Sequence, residues 1–428
     1  MRAVVLAAGE GVRLHPLTST RPKHMLPVGG KPLLEYTLQA LRIVGIEDVA
    51  ILVGYKGEKI RDYFGQGTSQ GLRLSYIEQE RPLGTANAIA LAEQYTDGED
   101  FLLIHGDLLL TSAALGELLR RHDRKKRLTM GVVPVSEPSQ FGVVQVKDGK
   151  VKSIIEKPKE AVESNLINAG IYVLNSDIFR QIEMTDKSMR GEYEFTDTLQ
   201  ALLAKEEDVE AALINAKDWL DIGRPWNLLE ANERVLKEIL PKIEGMIEDG
   251  AHLTDSVSVG EGARIRSGAY LEGPVFVGAG SDVGPNCYLR PYTSLGCNVR
   301  VGNACEVKNS IIMQGTHIGH LSYVGDSVIG ENCNFGAGTI TANLRFDDSP
   351  VKVLVKDKVT DTGLRKLGAF FGDDVKTGIG ALIMPGVKVG CGAWVGPNVV
   401  LTRDLEENTL VVLKQKASKT TKLEKQDV

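Results

Sequence analysis

A glycine-rich stretch directly after an N-terminal apolar run is the first candidate for chemistry. In "LAAGEGVRLHPLTSTRPK", Gly9 and Gly11 permit a tight turn that brings backbone N–H groups against phosphate oxygens. Arg13 and Lys23 add fixed positive charge. The stretch is not a Walker A loop, which needs GxxxxGK[ST], nor a dinucleotide fingerprint, because Leu14 replaces the third glycine. We predict that this loop binds a nucleoside triphosphate.

Asp107 is a second candidate, because it follows "FLLIHG", an apolar run typical of a buried strand. An α/β sheet presents its ligands where such strands end, and a carboxylate there suits Mg²⁺. Aspartate is also a common turn former. The spacing alone leaves both interpretations open.

Two histidines, His317 and His320, stand three residues apart in a chain that has only seven. A metal pair with this spacing suits a helix, whereas on an extended strand the two side chains point to different faces. An ordinary surface histidine is the alternative for each. Polar residues at comparable places in the adjoining sequence favour a chemical role for His320: Lys308, Tyr323, Asn334 and Asn343.

Length and composition limit the classes of protein to consider. A chain of 428 residues predicts two or three domains, and 43% hydrophobic with 25% charged residues is typical of globular proteins. No apolar run approaches the roughly 18 residues that span a bilayer, and we expect a cytoplasmic protein. The net charge of −6 argues against nucleic-acid binding. We interpret the local basic run "RRHDRKKR" as a solvated helix end.

Up to about residue 225, short apolar runs alternate with helical patterns. "AVVLAA", "VAILVG" and "FLLIHG" are typical of buried parallel strands, and "LLEYTLQALRIVG" of a helix that closes at Gly45. This alternation predicts βαβ units and a doubly wound, Rossmann-like α/β domain. "PWNLLEANERVLKEIL" has Pro225 ahead of an amphipathic helix and Pro241 after it, and we interpret it as a linker helix.

Beyond this linker the period of the sequence becomes six residues. Nine aliphatic residues recur at unbroken six-residue steps, and a second column of mostly small or β-branched residues follows each of them by four. This pattern predicts a parallel β-helix with three faces per turn. The first column is Val259, Ile265, Leu271, Val277, Val283, Leu289, Leu295, Val301 and Val307. The second is Ala263, Ala269, Val275, Ser281, Cys287, Thr293, Val299, Cys305 and Ile311.

The repeat has two slips and one break. It shortens to five residues between Val307 and Ile312 and between Val324 and Ile329, and it breaks from about residue 341 to 371 in an excursion from the coil. Cys287, Cys305 and Cys333 occupy the small column, so we interpret them as packing residues rather than metal ligands. The predicted domains are 1–225, a linker helix at 226–245, a β-helix at 246–410 and a polar tail at 411–428.

Residues 1 to about 230 resemble the sugar-1-phosphate nucleotidylyltransferases. The matching stretches are "LAAGEGVRL", "RPKHMLPV", "QERPLGTANA", "HGDL", "EKP", "INAGIY" and "WLDIGRPW". The resemblance implies a triphosphate site at Ala8, Gly9, Gly11 and Arg13, with Lys23 at the reacting phosphorus. It implies base contacts from Gln79, Gly84 and Thr85. It implies sugar-phosphate contacts from Gly142, Glu156, Lys157 and Asn168, and Mg²⁺ ligation by Asp107 and Asp221.

The chemistry of nucleotidyl transfer agrees with such a set of residues. A sugar 1-phosphate is mostly dianionic at neutral pH, so its oxygen can attack the α-phosphorus of a nucleoside triphosphate without a catalytic base. Repulsion between two anions and the charge on departing pyrophosphate are the real obstacles. Lysines, an arginine and a metal ion address both.

Residues 250 to about 405 resemble the hexapeptide-repeat acyltransferases, which implies a left-handed coil. "RPYT", "EVKNS", "GHLSYVGD" and "NFGAGTITAN" resemble the acetyltransferase half of the bifunctional enzyme that makes UDP-N-acetylglucosamine. The domain order most resembles archaeal fused sugar-1-phosphate nucleotidylyltransferase and amino-sugar-1-phosphate acetyltransferase proteins. The resemblance implies acetyl-CoA as co-substrate and pockets between neighbouring subunits, hence a homo-oligomer, either a trimer or a dimer of trimers.

This second resemblance also implies roles for individual residues. His320 would be the general base, and the Ala337 amide would lie near the acetyl carbonyl. Bacterial members place a lysine six residues after Asn343, where this chain has Ser349 and, three further on, Lys352. The other residues implied at the acetyl site are Arg290, Lys308, Tyr323, Asn334 and Asn343. An amine that attacks a thioester must lose a proton, which suits an imidazole.

Three interpretations of function remain open. The first is a bifunctional enzyme that acetylates an amino-sugar 1-phosphate, glucosamine or galactosamine, and couples the product to UTP or dTTP. The second is a single-activity nucleotidylyltransferase, using UTP, dTTP or GTP, with a structural coil. The third is a regulatory or scaffold subunit that binds sugar nucleotide without turnover. Arg13, Lys23 and Asp107 disfavour the third, and His320 with Tyr323 weakens the second.

Overall fold

The chain divides into two compact units, Met1–Glu238 and Ile239–Val428. Residues 123–127 of the basic run and the predicted tail from residue 415 onward lie outside the described residues. No helix in the described part of the chain is both long enough and apolar enough to cross a membrane. The computed structural model describes residues 1–122, 128–158, 160, 162–189, 191–205 and 207–414.

A nine-stranded sheet lies at the centre of the first unit. Its order in the described residues is β5-β4-β1-β6-β11-β8-β12-β10-β9. Apolar residues cover both of its faces, as the continuous hydrophobic runs predict. The strands of this unit are β1 (Arg2–Ala7), β2 (Pro27–Val28), β3 (Lys31–Pro32), β4 (Asp48–Val53), β5 (Arg73–Glu78), β6 (Phe101–His105), β7 (Leu108–Leu110), β8 (Leu128–Pro134), β9 (Gly142–Lys147), β10 (Lys150–Glu156), β11 (Leu166–Leu174), β12 (Val209–Leu213) and β13 (Trp219–Asp221).

The sheet is parallel in one half and mixed in the other. β5, β4, β1 and β6 run parallel, which confirms the three predicted strands "AVVLAA", "VAILVG" and "FLLIHG". β11 is antiparallel to β6 and β8, and β9 and β10 form a hairpin. The second half therefore differs from a doubly wound sheet. The hairpin has a local cause, because Asp148 (φ 53°) and Gly149 (φ 74°) form a two-residue turn that only antiparallel strands can use.

The helix predicted as a linker packs within the first unit. Its residues Leu228, Leu229 and Leu236 are buried, and Asn232 accepts a hydrogen bond from the Gly29 N–H at 2.9 Å. The boundary between the compact units falls after this helix. The helices of the unit are α1 (Leu33–Ile43), α2 (Glu58–Phe64), α3 (Thr85–Ala90), α4 (Glu93–Thr96), α5 (Ser112–Arg121), α6 (Asp177–Glu183), α7 (Phe195–Ala204) and α8 (Asn227–Lys237).

The second unit consists of short strands that stack into a parallel β-helix. In chain order they are β14 (Met246–Ile247), β15 (His252–Thr254), β16 (Val257–Val259), β17 (Arg264–Ile265), β18 (Tyr270–Glu272), β19 (Val275–Val277), β20 (Asp282–Val283), β21 (Tyr288–Leu289), β22 (Thr293–Leu295), β23 (Arg300–Asn303), β24 (Glu306–Lys308), β25 (Ile311–Ile312), β26 (His317–His320), β27 (Tyr323–Gly325), β28 (Val328–Ile329), β29 (Asn334–Phe335), β30 (Ile340–Thr341), β31 (Lys352–Val355), β32 (Lys358–Asp361), β33 (Phe370–Phe371), β34 (Lys376–Thr377), β35 (Leu382–Ile383), β36 (Lys388–Val389), β37 (Trp394–Val395), β38 (Val400–Leu401) and β39 (Leu410–Val411).

Three parallel sheets form the faces of this coil. In the described residues their orders are β14-β17-β20-β23-β26-β29-β34-β37-β39, β15-β18-β21-β24-β27-β30-β35-β38 and β16-β19-β22-β25-β28-β33-β36. Each strand thus pairs with the turns before and after it. Both predicted columns are buried and form the core, which confirms the six-residue repeat.

The slips and the excursion also have structural counterparts. Strands of successive turns are usually 18 residues apart, as in Arg264↔Asp282, but they are 17 apart in Arg300↔His317 and Val307↔Val324. The predicted excursion contains the antiparallel hairpin of β31 and β32, and the coil resumes at β33. Cys287, Cys305 and Cys333 are buried in the core, as predicted.

Burial in the first sheet predicts the cost of truncating its side chains. Leu103 of β6 is fully buried, whereas Leu213 of β12 is 60% exposed. We expect Leu103→Ala to lower the free energy of unfolding of the first unit by about 2 to 5 kcal/mol, because it removes buried surface and leaves a cavity. Leu213→Ala, the matched control, should change it by less than about 0.5 kcal/mol. Urea unfolding followed by circular dichroism measures both, and equal losses would contradict the assigned burial.

Candidate active sites

The predicted phosphate loop follows β1 and places cationic side chains at its rim. Gly11 has φ of 76°, and a Cβ added there would lie 3.1 Å from the Cβ of Lys23. Glycine at this position therefore lets Lys23 lie against the loop. A Cβ added at Gly9 would meet no atom within 4 Å, and Arg13 is exposed. The loop thus has open space and positive charge on the same side.

Lys23 and two aspartates meet where strands of the sheet end. The Lys23 ammonium donates a hydrogen bond to Asp107, which follows β6, and forms an ion pair with it. β13 pairs with β7 so that Asp221 lies opposite Leu108. The N–H of Ile222 donates to the carbonyl oxygen of Asp107 at 3.0 Å. This pairing brings Asp107 and Asp221 together, although the two residues lie far apart in the sequence and are predicted separately.

The protonation states of these groups depend on one another. Burial alone would raise the pKa of Asp107, but the charge and hydrogen bond of Lys23, together with the neighbouring His105 and His24, outweigh burial and hold that pKa below its usual value. Burial, followed by the charge of Asp107, raises the pKa of Asp221 to about 6. Burial and the Lys23 charge lower the pKa of His24 to about 3, so this buried imidazole is neutral.

The two carboxylates suit Mg²⁺ by the chemistry of their donor atoms. Proteins commonly bind Mg²⁺ through one or two carboxylates together with phosphates of the substrate. Asp107 and Asp221 form such a pair, and burial, followed by the charge of Asp107, raises the pKa of Asp221, an effect that a bound cation would oppose. Among the described residues, no group of three or more His, Cys, Asp or Glu side chains could hold a metal ion. A metal at this site would therefore need waters or substrate phosphates as further ligands.

The residues predicted to contact the base lie after β5 and at the start of α3. Gly84 has φ of 117°, and a Cβ there would lie 2.4 Å from the carbonyl oxygen of Tyr193, so no larger residue fits. Thr85 accepts a hydrogen bond from the Phe195 N–H at 2.9 Å. The Gln79 side chain donates to Asn87. The Thr85 hydroxyl thus has a structural partner at the start of α7.

The residues predicted to hold the sugar phosphate converge on β9, β10 and β11. Gly142 lies opposite Glu156, and a Cβ on it would lie 3.0 Å from Glu156 Oε2 and 3.8 Å from Asn168 Cβ. Asn168 Oδ1 accepts from the Tyr172 hydroxyl at 2.8 Å. Lys157 Nζ lies 3.3 Å from Glu156 Oε1. The pairing of these strands assembles this predicted set.

A cavity of about 340 Å³ adjoins the carboxylate pair. Arg13, Asp221 and Arg224 are among its lining residues, and the rings of Phe141 and Trp219 contribute apolar wall. Burial, and then the charge of Arg13, lower the pKa of the Arg224 guanidinium. The cavity therefore combines three arginines, three acidic residues and aromatic surface.

On the second unit, His320 lies exposed at the end of β26. Its strand pairs with β29 in the register Ile318↔Phe335, which places Ala337 over His320, and the N–H of Gly338 donates to the His320 carbonyl oxygen. His317 is also exposed, so both histidines lie off the buried column, as predicted. Stacking thus brings the predicted base next to the predicted amide donor.

A cluster of polar side chains occupies the corner that follows β27. Lys308 Nζ lies 3.1 Å from both carboxylate oxygens of Asp326, which is only 3% exposed. The Asn343 amide donates to Asp326 and also to the Tyr323 hydroxyl, at 3.1 Å. Burial, followed by the charges of Asp326 and Glu306, raises the pKa of Tyr323. Three predicted residues therefore meet around an acid.

Arg290 lies one turn before Lys308 on the same face. Its guanidinium donates to Glu306 at 2.9 Å, and this bond raises its pKa. The N–H of Arg290 donates to the Val307 carbonyl oxygen, which sets the stacking of the two turns. The Nε–H of Arg290 is buried with no partner in the residues that the structure describes.

Two predicted acetyl-site residues lie elsewhere on the coil. Asn334 is exposed on β29, in register with His317 of the neighbouring turn. Lys352 is exposed at the start of the hairpin formed by β31 and β32. The structure brings neither of them to the Asp326 cluster.

Sequence reasoning missed three residues that shape these sites. Asp326 closes "GHLSYVGD", and its signal was an acid inside a buried repeat, where an unpaired charge is costly. Gly54 lets β4 approach the loop, since a Cβ on it would lie 2.9 Å from the Ala8 carbonyl oxygen. Arg224 lines the cavity beside Asp221. It follows Asp221 by three residues in the sequence, and this spacing does not predict a functional role.

The two units match different family models of known proteins. Residues 2–238 match the family model described as nucleotidyl transferase, and residues 271–383 match that of the GMPPB C-terminal domain. A Bacillus anthracis crystal structure assigned to glucose-1-phosphate thymidylyltransferase, in complex with sucrose, covers 57% of this chain and 98% of its own at 28% identity and a TM-score of 0.51.

Relatives also match over nearly the whole chain. The bifunctional protein GlmU of Methanococcus maripaludis is 47% identical over 97% of this chain and 98% of its own, and that of Methanocaldococcus jannaschii is 46% identical over 96% and 97%. The bifunctional sugar-1-phosphate nucleotidylyltransferase/acetyltransferase of Sulfurisphaera tokodaii is 44% identical over 95% and 98%. Since identity at this level extends through both units, the chain belongs to the family of bifunctional GlmU-type nucleotidylyltransferase/acetyltransferase proteins.

Proposed function

We propose that this protein makes UDP-N-acetylglucosamine in two steps. The second unit transfers the acetyl group of acetyl-CoA to glucosamine 1-phosphate, or to galactosamine 1-phosphate. The first unit then transfers the uridylyl group of UTP, or the thymidylyl group of dTTP, to the N-acetylated sugar 1-phosphate and releases pyrophosphate. One observation carries the proposal: the first unit holds a cationic loop with paired carboxylates, and the coil of the second unit holds a buried polar cluster and an exposed histidine.

At the first site, the residues align two anions and neutralise their charge. The sugar-phosphate oxygen attacks the α-phosphorus, and the bond to the β-phosphate oxygen breaks as pyrophosphate leaves. Lys23 would stabilise the charge at the α-phosphorus, and Arg13 that of the departing phosphates. Asp107 and Asp221 would hold Mg²⁺, which supplies charge neutralisation at the phosphates when bound. No base is needed, because the attacking phosphate is already ionised.

At the second site, the amine must lose a proton as it is acylated. The amine nitrogen attacks the thioester carbonyl, the bond to sulfur breaks, and coenzyme A leaves as the thiolate, which becomes the thiol by taking up the proton released from the amine. His320 would accept the proton of the amine, for which an imidazole is suited near neutral pH. The Ala337 N–H, which has no partner among the described residues, would donate to the developing oxyanion.

The sugar phosphate at the second site would bind to cations of neighbouring turns. Arg290 and Lys308 lie on neighbouring turns of the same face. The buried Arg290 Nε–H has no hydrogen-bond acceptor among the described residues. Tyr323 would add a hydroxyl donor, and Asn343 would face the amine. Asn334 and Lys352 lie apart from this cluster. We expect them to make contacts that involve another subunit or the excursion hairpin.

We further propose a left-handed coil and a homo-oligomer, either a trimer or a dimer of trimers. The likeness of "GHLSYVGD" and "NFGAGTITAN" to the hexapeptide-repeat acyltransferases supports both. A cytoplasmic location fits five free cysteines and the need for nucleotide and acetyl-CoA substrates.

The two activities should be separable by single substitutions. We expect His320→Ala to reduce acetylation about 100-fold or more, because the base is lost, while pyrophosphate release from UTP and N-acetylglucosamine 1-phosphate continues. Lys23→Ala should do the reverse, with a loss of about 100-fold or more in pyrophosphate release. Purified enzyme would be assayed with each nucleoside triphosphate and sugar 1-phosphate, with and without acetyl-CoA.

His317→Ala is the matched control for the second activity. It removes an exposed histidine from the same strand, and we expect less than about twofold change in acetylation. Undiminished acetylation in His320→Ala would refute its assignment as base. Absence of acetylation in the unaltered protein, with nucleotidyl transfer intact, would favour a single-activity enzyme whose coil is structural.

The raised pKa of Asp221 predicts a trade between stability and activity. Between about pH 4 and 6 the folded state retains a proton that the unfolded state loses, so ionising Asp221 costs stability as pH rises through its pKa of about 6. In metal-free buffer, Asp221→Asn should therefore stabilise the first unit by about 1 to 2 kcal/mol above pH 6, with little effect near pH 4. Nucleotidyl transfer should fall about 100-fold.

Urea unfolding in the presence of EDTA at the two pH values measures this difference. Asp148→Asn, at an exposed turn, is the control and should show no pH-dependent gain. A variant that is destabilised at neutral pH would contradict the like-charge repulsion between Asp107 and Asp221.

A further inference from the structure

Asp326 is a buried acid that the proposed acetyl transfer does not use. We propose that it is a positioning residue, which holds Lys308 and Asn343 in the orientation that receives the amino-sugar phosphate. The inference rests on the proposed acetyltransferase function of the second unit. It assigns a role to a residue that would touch the substrate only through its neighbours.

Both carboxylate oxygens of Asp326 are occupied by side chains from adjoining turns. Lys308 Nζ donates to both oxygens at 3.1 Å, Asn309 Nδ2 donates to Oδ1 at 2.8 Å, and Asn343 Nδ2 donates to Oδ2. A carboxyl group that is only 3% exposed needs such partners to offset the cost of removing it from water. Asp326 therefore links the turn before it to the turn after it.

This arrangement leaves Lys308 with one donor to spare. An ammonium group has three N–H donors, and the two contacts to Asp326 occupy two of them. The Lys308 side chain is 22% exposed, so the third donor can face the solvent side of the coil. Asp326 thus holds the ammonium in place for one further acceptor, such as a phosphate oxygen.

The same acid decides which end of the Asn343 amide faces outward. One amide N–H goes to Asp326 and the other to the Tyr323 hydroxyl at 3.1 Å, so the free group of the amide is its oxygen. A carboxylate can only accept, which excludes the flipped amide. Asn343 Oδ1 is therefore ready to accept from an amine, and the Tyr323 O–H is free to donate to a phosphate oxygen.

Gly325 keeps this cluster compact. A Cβ added to it would lie 2.4 Å from the Tyr323 hydroxyl oxygen and 2.8 Å from Asn343 Nδ2. No side chain fits between the two groups. The backbone before Asp326 thus supports the same contacts as its carboxylate.

Asp326→Asn in the full-length protein tests the proposal, because it keeps the shape of the side chain but adds donors that permit the Asn343 flip. We expect KM for glucosamine 1-phosphate to rise about 10- to 100-fold, the range for losing a hydrogen bond to a charged group. KM for acetyl-CoA and the rate of nucleotidyl transfer should stay within about twofold. A merely structural role would not shift one KM alone.

The matched control is Asp373→Asn, another buried acid of the coil. Asp373 is 7% exposed and accepts from the Glu331 N–H at 2.8 Å, at a different corner of the turn. We expect this variant to leave KM for glucosamine 1-phosphate within about twofold of the unaltered protein. An equal rise in both variants would overturn the proposal.

Asn309→Gly provides a second test of the proposal if the Asp326→Asn variant does not fold. It removes one donor to Asp326, and glycine accepts the left-handed backbone of this position, φ 43°. We expect KM for glucosamine 1-phosphate to rise about 2- to 10-fold. An unchanged KM in this variant or in folded Asp326→Asn would overturn the proposal while leaving the acetyltransferase function intact. Loss of that function in the unaltered protein would instead refute the proposed reaction itself.

Discussion

In each of the two sites, an aspartate that is wholly or largely shielded from solvent holds a lysine ammonium. Asp107 holds Lys23, 84 residues away in sequence, and Asp326 holds Lys308, 18 residues away. Removing a carboxylate from water is costly unless a cation and hydrogen bonds compensate, so each pair fixes the position of both members. Since the partners come from different elements, each cation reaches its place only when the surrounding fold is complete. In the proposed reactions, both lysines would contact a phosphate group of a substrate.

The two units reach this result through different backbones. In the first, parallel strands end at one edge of a sheet, and a β-bridge between short strands brings Asp221 to Asp107. In the second, the stacking of turns sets the neighbours. The two five-residue slips fall at the corners that hold Asn309 and Asp326, whose φ values of 43° and 49° are left-handed. The shortened corners thus coincide with the cluster that binds Lys308.

Local patterns predict much of this fold but little of its long-range pairing. The six-residue columns, the first three parallel strands and α1 follow from periodicity, because each pattern reports burial directly. The antiparallel half of the first sheet does not follow, although the Asp148–Gly149 pair is a hairpin signal. The packing of α8 on the first unit depends on Asn232 and Gly29, whose pairing no local pattern reveals.

For the sites, residue type and motif predict which side chains matter, whereas the structure supplies their mutual orientation. Lys308, Tyr323 and Asn343 were identified individually, but the acid that joins them was read only as the end of a motif. His320 differs from these residues for a physical reason. The proposed base, His320, is exposed, as a group that exchanges a proton with a substrate must be, whereas groups that orient a substrate gain from burial because neighbours then fix their rotamers. In the proposed acetyl transfer, the buried Asp326 and the exposed His320 would therefore separate the task of holding the substrate from the task of moving its proton.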